Sequence, residues 1–473
     1  MKSSLYSNEA RPGRSLSRRQ LLKMSALLGI GGVTLAACGA PAAPTAAPKA
    51  EAPAADAKPT DAPAAPAEQA ELIFWGHADH PIYSAGQAFT KKFPEIKFTH
   101  VEIADERSAK VEAALAAGSG APDLNWLEAS EVQSFGRRNV LLNVDDVVRK
   151  YEDQIVKAKL SEAKVKGSYF GMPGDITPCT YWVRPDVLEK AGVKEIAKDI
   201  KYEEFLDVAK QVKEKAGASL FVFGSDGGGQ SSLLFTSPFY ALGGNFTDES
   251  GDNVLMGEGT AAEQAVEFAK QAWETKAGLD VGWFSPPYWS AIKEGKLGGT
   301  YSPPWMRGFF QTEVKSEADG LGKWKNAILP TYPGGEKNRT NVWGGATLCS
   351  YSQTKFPDTV KKFMEFTFAT MEGSQVTGDW GIVPPYLPWL TTKLKDVKQT
   401  LFSDATWADT VTEALGMMRT DFYRNPGYGP ATGDLYNKYF MAMVKGEMPI
   451  KEGVKKWSDE LVTENKKILE NLK

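Results

Sequence analysis

Apolar residues in this chain switch repeatedly between two spacings. Glu71 to Trp75 (ELIFW) is a short apolar run closed by Gly76, after which Ile82, Ala85, Phe89 and Phe93 recur at helical intervals until Pro94 stops them. This predicts strand, loop and helix. Ile96 to Ile103 predicts a second strand and Ala109 to Ala117 an alanine-rich helix. After Gly118-Ser119-Gly120-Ala121-Pro122, a third strand begins at Asp123 and Leu124. Strands alternating with helices imply a parallel sheet.

The rhythm breaks between Tyr169 and Val193. Gly171, Pro173, Gly174 and Pro178 exclude both a helix and a regular central strand, because proline lacks a donor N–H and glycine leaves the backbone unrestrained. Apolar character returns at Tyr181, Trp182 and Val183. A helix then follows with Pro185 in its first turn, Val187, Leu188 and Ala191 on one face, and Gly192 as terminator. Phe205, Val208, Ala209 and Val212 form a further helical face, and Leu220 to Phe223 a strand. Thr260 with Glu263 has capping-box spacing, ahead of a stripe of Ala262, Val266, Ala269 and Trp273. Two later stretches repeat the glycine-rich, extended design, one ending in Ser302-Pro303-Pro304-Trp305 and the other running Asn341 to Thr347. Helix-free segments at 171–180, 297–305 and 341–347 are what a hinge between two lobes requires.

Composition narrows the function classes. The chain has 473 residues, 42% hydrophobic, with a net charge of only −4, which supplies no basic field for nucleic acid. Its 3 cysteines are too few for a disulfide scaffold and match no zinc spacing. The first 70 residues are not globular material. Ser17-Arg18-Arg19-Gln20-Leu21-Leu22-Lys23 has the form of a twin-arginine export signal, and the apolar run Met24 to Ala37 ends in Leu35-Ala36-Ala37-Cys38, the form of a lipoprotein processing site. Residues 1–37 are therefore expected to be a signal peptide, with Cys38 lipid-modified as the first mature residue. From 38 to 70 the chain is almost entirely Ala, Pro and scattered charge, a semi-rigid spacer that holds the body off a membrane.

The body from Glu71 onward carries LIFWGH, AALAAGSGAPDL, GMPGDITPCTYWVRPDVLEKAGV, KYEEFLDVAK, AIKEGKLGGTYSPPW and WGGATLCSYSQTKFPDTVKKFMEFTF, in that order. In this it resembles the sugar-binding group of ABC-importer solute-binding proteins, the group that includes maltose-binding protein. The resemblance implies a two-lobed α/β fold of the type II periplasmic-binding-protein kind, each lobe a mostly parallel sheet flanked by helices, with three hinge crossings. It assigns 71–178 and 299–343 to an N-terminal lobe, and 179–298 and 344–473 to a C-terminal lobe. Carried over residue by residue, the cleft positions are His77, Asp79 and His80 after the first strand, Glu128 and Ser130 after the third, Asp175 and Thr177 on the first crossing, Trp305 where the chain returns, and Trp343 and Gly344 at the last crossing. The aromatic-rich stretch Tyr423 to Tyr428 is not placed by matching. The resemblance also implies a monomeric, lipid-anchored protein on the outer face of the cytoplasmic membrane. It would pass a carbohydrate to permease subunits, with no cofactor and no catalytic step. Cys179 and Cys349 lie on segments that run side by side in that fold, and two buried thiols are expected there rather than a disulfide.

Elementary chemistry agrees with a sugar ligand. Aromatic faces pack on the apolar C–H faces of pyranose rings while carboxylates take the hydroxyls, so Trp305, Trp343 and Trp283 are the expected stacking residues. His77 and His80 suit surface or capping roles better than metal ligation, with only His100 besides them in the chain. Gly227-Gly228-Gly229-Gln230-Ser231 lacks the ending of a phosphate cradle, and the acidic stretch 247–253 lacks EF-hand spacing. Two alternatives stay open. A secreted carbohydrate-active hydrolase needs only two acids, although neither G-x-S-x-G nor H-E-x-x-H occurs. A receptor for a peptide or sugar phosphate is the other, and a phosphate would favour basic cleft loops where this chain has acids and histidines.

Overall fold

In β1 (Glu71–Gly76) alternate side chains are buried, and the two faces of its sheet explain why Leu72 to Trp75 is apolar without a break. Leu72 and Phe74 enter one core and Trp75 packs against another on the opposite face. The computed structural model describes residues 69–473, apart from 104–106, 225–230, 398–399, 404–405 and 473. The expected signal peptide, Cys38, all but the end of the spacer, and the glycine loop at 227–230 lie outside the described residues.

β1 pairs in parallel with β2 (Lys97–Glu102) and with β3 (Leu124–Glu128), as the alternating pattern requires. A small hairpin of β4 (Lys164–Val165) and β5 (Ser168–Tyr169) leads into β6 (Gly171–Pro173). The chain then leaves through 174–179 and enters β7 (Thr180–Val183). β7 is buried along its whole length, with Tyr181 and Val183 in one core and Trp182 in the core on the other face. β8 (Gly299–Ser302) and β9 (Lys325–Ala327) flank it, both antiparallel. β10 (Ala346–Cys349) returns to the first sheet between β3 and β6, giving the order β2-β1-β3-β10-β6.

These pairings move the expected lobe boundaries. Residues 299–343 belong with the second sheet, because β8 and β9 pair with β7. Residues 346–382 belong with the first, where β10 pairs and Val360, Phe363 and Met364 of helix Pro357–Phe368 join the core of Leu72 and Phe74. The mostly parallel character also gives way wherever the chain crosses between lobes. β7 carries the chain away from the first lobe and β8 runs back, while β6 leaves and β10 enters, so these partners are antiparallel. Parallel pairing in the second lobe is confined to bridges such as Ser219↔Leu297 and Val222↔Leu279.

The hinge is held by main-chain hydrogen bonds. On one side of 174–179, Gly174 N–H donates to Ala346 at 3.0 Å, Trp343 N–H to Thr177 at 3.3 Å and Cys179 N–H to Asn341 at 2.7 Å. On the other side Ile176 N–H donates to Val383 at 2.7 Å. The crossings are therefore 174–179, 341–346 and a segment around Gly381 to Pro385. The expected crossing at 297–305 is β8 and a turn into helix Met306–Glu313. Cys179 and Cys349 are buried free thiols. Thr260 precedes helix Ala261–Glu274 without a side-chain cap bond, since its backbone (φ −117°, ψ −1°) is not the extended form that aims a hydroxyl at the first turn.

Candidate functional site

A cavity of about 310 Å³ opens where β3 ends and the 341–346 crossing passes. Glu128, Ser130, Trp305, Trp343 and Gly344, all expected cleft residues, line it together with Ala129, Arg424, Tyr428, Gly429 and Thr432. Helix Ala129–Arg137 starts at this wall, with Glu128 and Glu131 forming a capping box over its first turn. Glu128 N–H donates to Glu131 at 2.9 Å.

The aromatic wall is built by contact between distant segments. Trp305 stands just before helix Met306–Glu313, and its Nε1 donates to the Trp343 carbonyl at 3.0 Å. Trp283 lies 5.7 Å from Trp305 and 5.8 Å from Trp343, and Phe309 packs edge-on to Trp305 at 5.8 Å between ring centroids. All four rings are half-buried, so they keep apolar faces for a ligand. The approach depends on Gly344, whose φ of 72° is left-handed and whose added Cβ would sit 2.9 Å from Trp305 Nε1.

Behind this wall lies a buried charge cluster that sequence reading missed. Arg424, within the unplaced 423–428 stretch, has a side chain only 2% exposed and reaches from the second lobe to Glu162 at 2.7 Å and Glu128 at 3.4 Å, both of the first. It also donates to the carbonyls of Gly344 and, at 3.0 Å, Gly345. Burial works against its charge, and Glu162 and Glu128 outweigh that and hold the guanidinium above its ordinary pKa. The fully buried Lys159 pairs with the same Glu162. Burial pushes the Glu128 carboxyl up to about 7 against the pull of Arg424. Its side chain keeps 49% of its surface open, so water entering the cavity opposes that rise.

The other expected cleft residues lie off the cavity wall. Asp175 is only 3% exposed, and its carboxylate accepts the Ala346 N–H at 2.7 Å. Burial pushes it up to about 6, with Lys159 opposing. Thr177 is buried and donates to the Gly344 carbonyl at 3.1 Å. Both act as hinge struts. His80 caps helix Pro81–Lys92, its Nδ1 accepting the Ile82 N–H at 3.2 Å, and burial holds it neutral. Burial likewise lowers the pKa of His77, which reaches the aromatic group only through Phe309, at 6.0 Å. Asp79 is exposed, in a left-handed turn with φ 56°. Among the described residues no group of three His, Cys, Asp or Glu side chains gathers as metal ligands would.

A larger cavity of about 460 Å³ adjoins the first across Ala129 and Arg424. Its wall is mostly polar or charged, and Arg137 there bridges the lobes to Asp252 at 3.4 Å. The smaller cavity is the stronger candidate, because Trp305 and Trp343 from two separate segments meet there beside the open carboxylate of Glu128.

Comparison with known proteins agrees with this fold. An arabinooligosaccharide-binding protein of Halalkalibacterium halodurans is 23% identical over 310 residues, 63% of this chain and 66% of that protein. A lactose-binding protein of Rhizobium radiobacter is 25% identical over 52% of this chain and 57% of its own length. Among solved structures, an ABC-transporter-associated binding protein from B. animalis subsp. lactis in complex with β-1,6-galactobiose aligns with a TM-score of 0.71 and 22% identity, over 84% of this chain and 98% of that one. The galacto-N-biose/lacto-N-biose I-binding protein of Bifidobacterium longum gives 0.68 and 20%, over 85% and 97%. Their shared architecture is the two-lobed α/β fold described above. Residues 84–410 match the model of one family, and the chain belongs to it: the bacterial extracellular solute-binding proteins.

Proposed function

We propose that this protein is the lipid-anchored, extracytoplasmic binding component of an ABC importer, and that it captures a mono- or oligosaccharide between its lobes and delivers it to membrane permease subunits. The observation that carries this reading is the convergence of Trp305, Trp343 and Tyr428 with the open carboxylate of Glu128 on one cavity wall. A pyranose offers apolar C–H faces to the rings and hydroxyls to the carboxylate. The sugar specificities of the relatives support the same ligand class. Binding is favoured over hydrolysis because a glycosidase needs a pair of working carboxyl groups, and among the described residues Glu128 is the only carboxylate on the wall. Asp175, the nearest expected partner, is held by the Ala346 N–H. Trp305, Trp343, Gly344, Glu128 and Ser130 are the proposed ligand contacts, Trp283 supports the rings, and Cys38 is the proposed lipid attachment. The protein acts as a monomer in this reading.

Thermal denaturation against a panel of sugars, peptides and sugar phosphates tests it. A ligand at 100 times its Kd adds about 2.7 kcal/mol of stability, which raises the melting temperature by a few degrees. Small-angle scattering with the best ligand should show a smaller radius of gyration, because a ligand touching both lobes favours the closed form. Stabilisation by a peptide, with none by any sugar, would overturn the sugar reading.

A further inference from the structure

Among the described residues Arg424 is the only cation on the cavity wall, and both terminal nitrogens of its guanidinium are already committed, while its Nε is buried without a partner. Nη1 donates to the Gly344 carbonyl and lies 3.4 Å from Glu128, while Nη2 donates to Gly345 at 3.0 Å and lies 2.7 Å from Glu162. Burial of its side chain keeps it from turning towards a ligand, since Glu162 would then be left buried with Lys159 alone. Arg107, at the start of helix Arg107–Ala116, is bound to the Trp126 carbonyl and lies 3.3 Å from Glu131.

The second possible source of positive potential is the start of helix Ala129–Arg137. Its first turn is covered by Glu128 and Glu131, so the protein's own carboxylates occupy the place an anionic ligand would take. What remains open towards the cavity is the carboxylate of Glu128 itself.

We infer that this cavity selects uncharged sugars and rejects those carrying a carboxylate or phosphate. The inference rests on the sugar-binding reading above. An acidic sugar entering here loses water from its charge, finds Arg424 held by Glu128 and Glu162, and meets Glu128 as a like charge. A neutral sugar meets the same carboxylate as a hydrogen-bond acceptor for its hydroxyls.

The test is calorimetry at pH 8 with galacto- and gluco-disaccharides in three forms: the neutral sugar, the same sugar oxidised to a carboxylate at C6, and the C6 amide. Amide and carboxylate match in size and differ in charge. Amides of the sugars that bind should bind at least about 10-fold more tightly than the corresponding acids, the scale of a like-charge contact. Glu128→Gln should narrow that ratio several-fold. Acid binding equal to or tighter than amide, or a ratio unchanged in Glu128→Gln, overturns the inference while sugar binding stands. If no neutral sugar binds in this panel or in the wider one above, the sugar reading itself falls, and this inference with it.

Discussion

Removing the Trp305 side chain separates a ligand wall from a packing element. Its ring is half-buried, braced by Trp283 at 5.7 Å and Phe309 at 5.8 Å, and tied by Nε1 to the Trp343 carbonyl at 3.0 Å. In Trp305→Ala the loss of that neutral hydrogen bond costs about 1 kcal/mol. A fully buried tryptophan replaced by alanine costs about 3 to 5 kcal/mol, so a half-buried one should cost about 2 in the ligand-free protein. The sugar should lose a comparable amount. An aromatic anchor at the centre of a site contributes about 2 kcal/mol or more, equivalent to a Kd raised roughly 30-fold. Trp305→Phe keeps a ring without the Nε1 donor and should fall between the two. Calorimetry with the tightest-binding disaccharide gives the affinity, and thermal melting without ligand gives the stability. A Trp305→Ala protein that binds within about 3-fold of the parent while melting much earlier would refute the placement of this ring in the site.

Asp175 carries a pH prediction. Its folded pKa is raised to about 6, above the ordinary carboxyl value, so its contribution to stability is fully present in acid and declines as pH rises through about 4 to 6. Asp175→Asn keeps an acceptor for the Ala346 N–H and removes the titration. Its melting temperature relative to the parent should therefore rise between pH 4 and 7, with a ceiling on the order of 3 kcal/mol, and a constant difference would refute the account. Gly344→Ala places a Cβ at left-handed φ and 2.9 Å from Trp305 Nε1, so it should cost about 1 to 2 kcal/mol in melting and weaken sugar binding as well; an unchanged affinity would show that the ring can shift without consequence. Cys38→Ser should leave the body folded and release it from the membrane fraction, and persistence there would place the anchor elsewhere.

Local pattern made the strands β1 to β3 legible, together with the crossing at 174–179 and the tryptophans of the wall. Pleat alternation and proline placement are written in neighbouring residues. The lobe to which a late strand returns is not, because β10 pairs with β3 and β6 across more than a hundred residues. The 297–305 stretch was therefore misread as a crossing, although Gly295, Gly298 and Pro303 carry the same signal as a real one. The third crossing carries equally readable punctuation in Gly381, Pro384 and Pro385, but which of two such stretches crosses is decided only by the strand pairing. Arg424 had no local signal at all. One arginine among aromatic residues becomes part of a site only when folding brings Glu128 and Glu162 to it. Asp175 shows the converse, since a carboxylate on a hinge segment can serve a backbone N–H as readily as a ligand.

The 341–346 crossing makes one strip of chain answer to two different selective demands. Glu128, Ser130, Tyr428 and Thr432 can be exchanged to retune ligand preference without touching any of the main-chain bonds that define the bending axis. Gly344 cannot, because its left-handed φ of 72° suits glycine and an added Cβ would sit 2.9 Å from Trp305 Nε1. The Trp343 N–H is part of the ladder and its carbonyl orients Trp305, and the Gly344 carbonyl receives both Thr177 and Arg424. Directed evolution towards a new sugar should accordingly accumulate changes on the four free positions first, and a variant altered at 344 should show changed opening rates together with changed specificity.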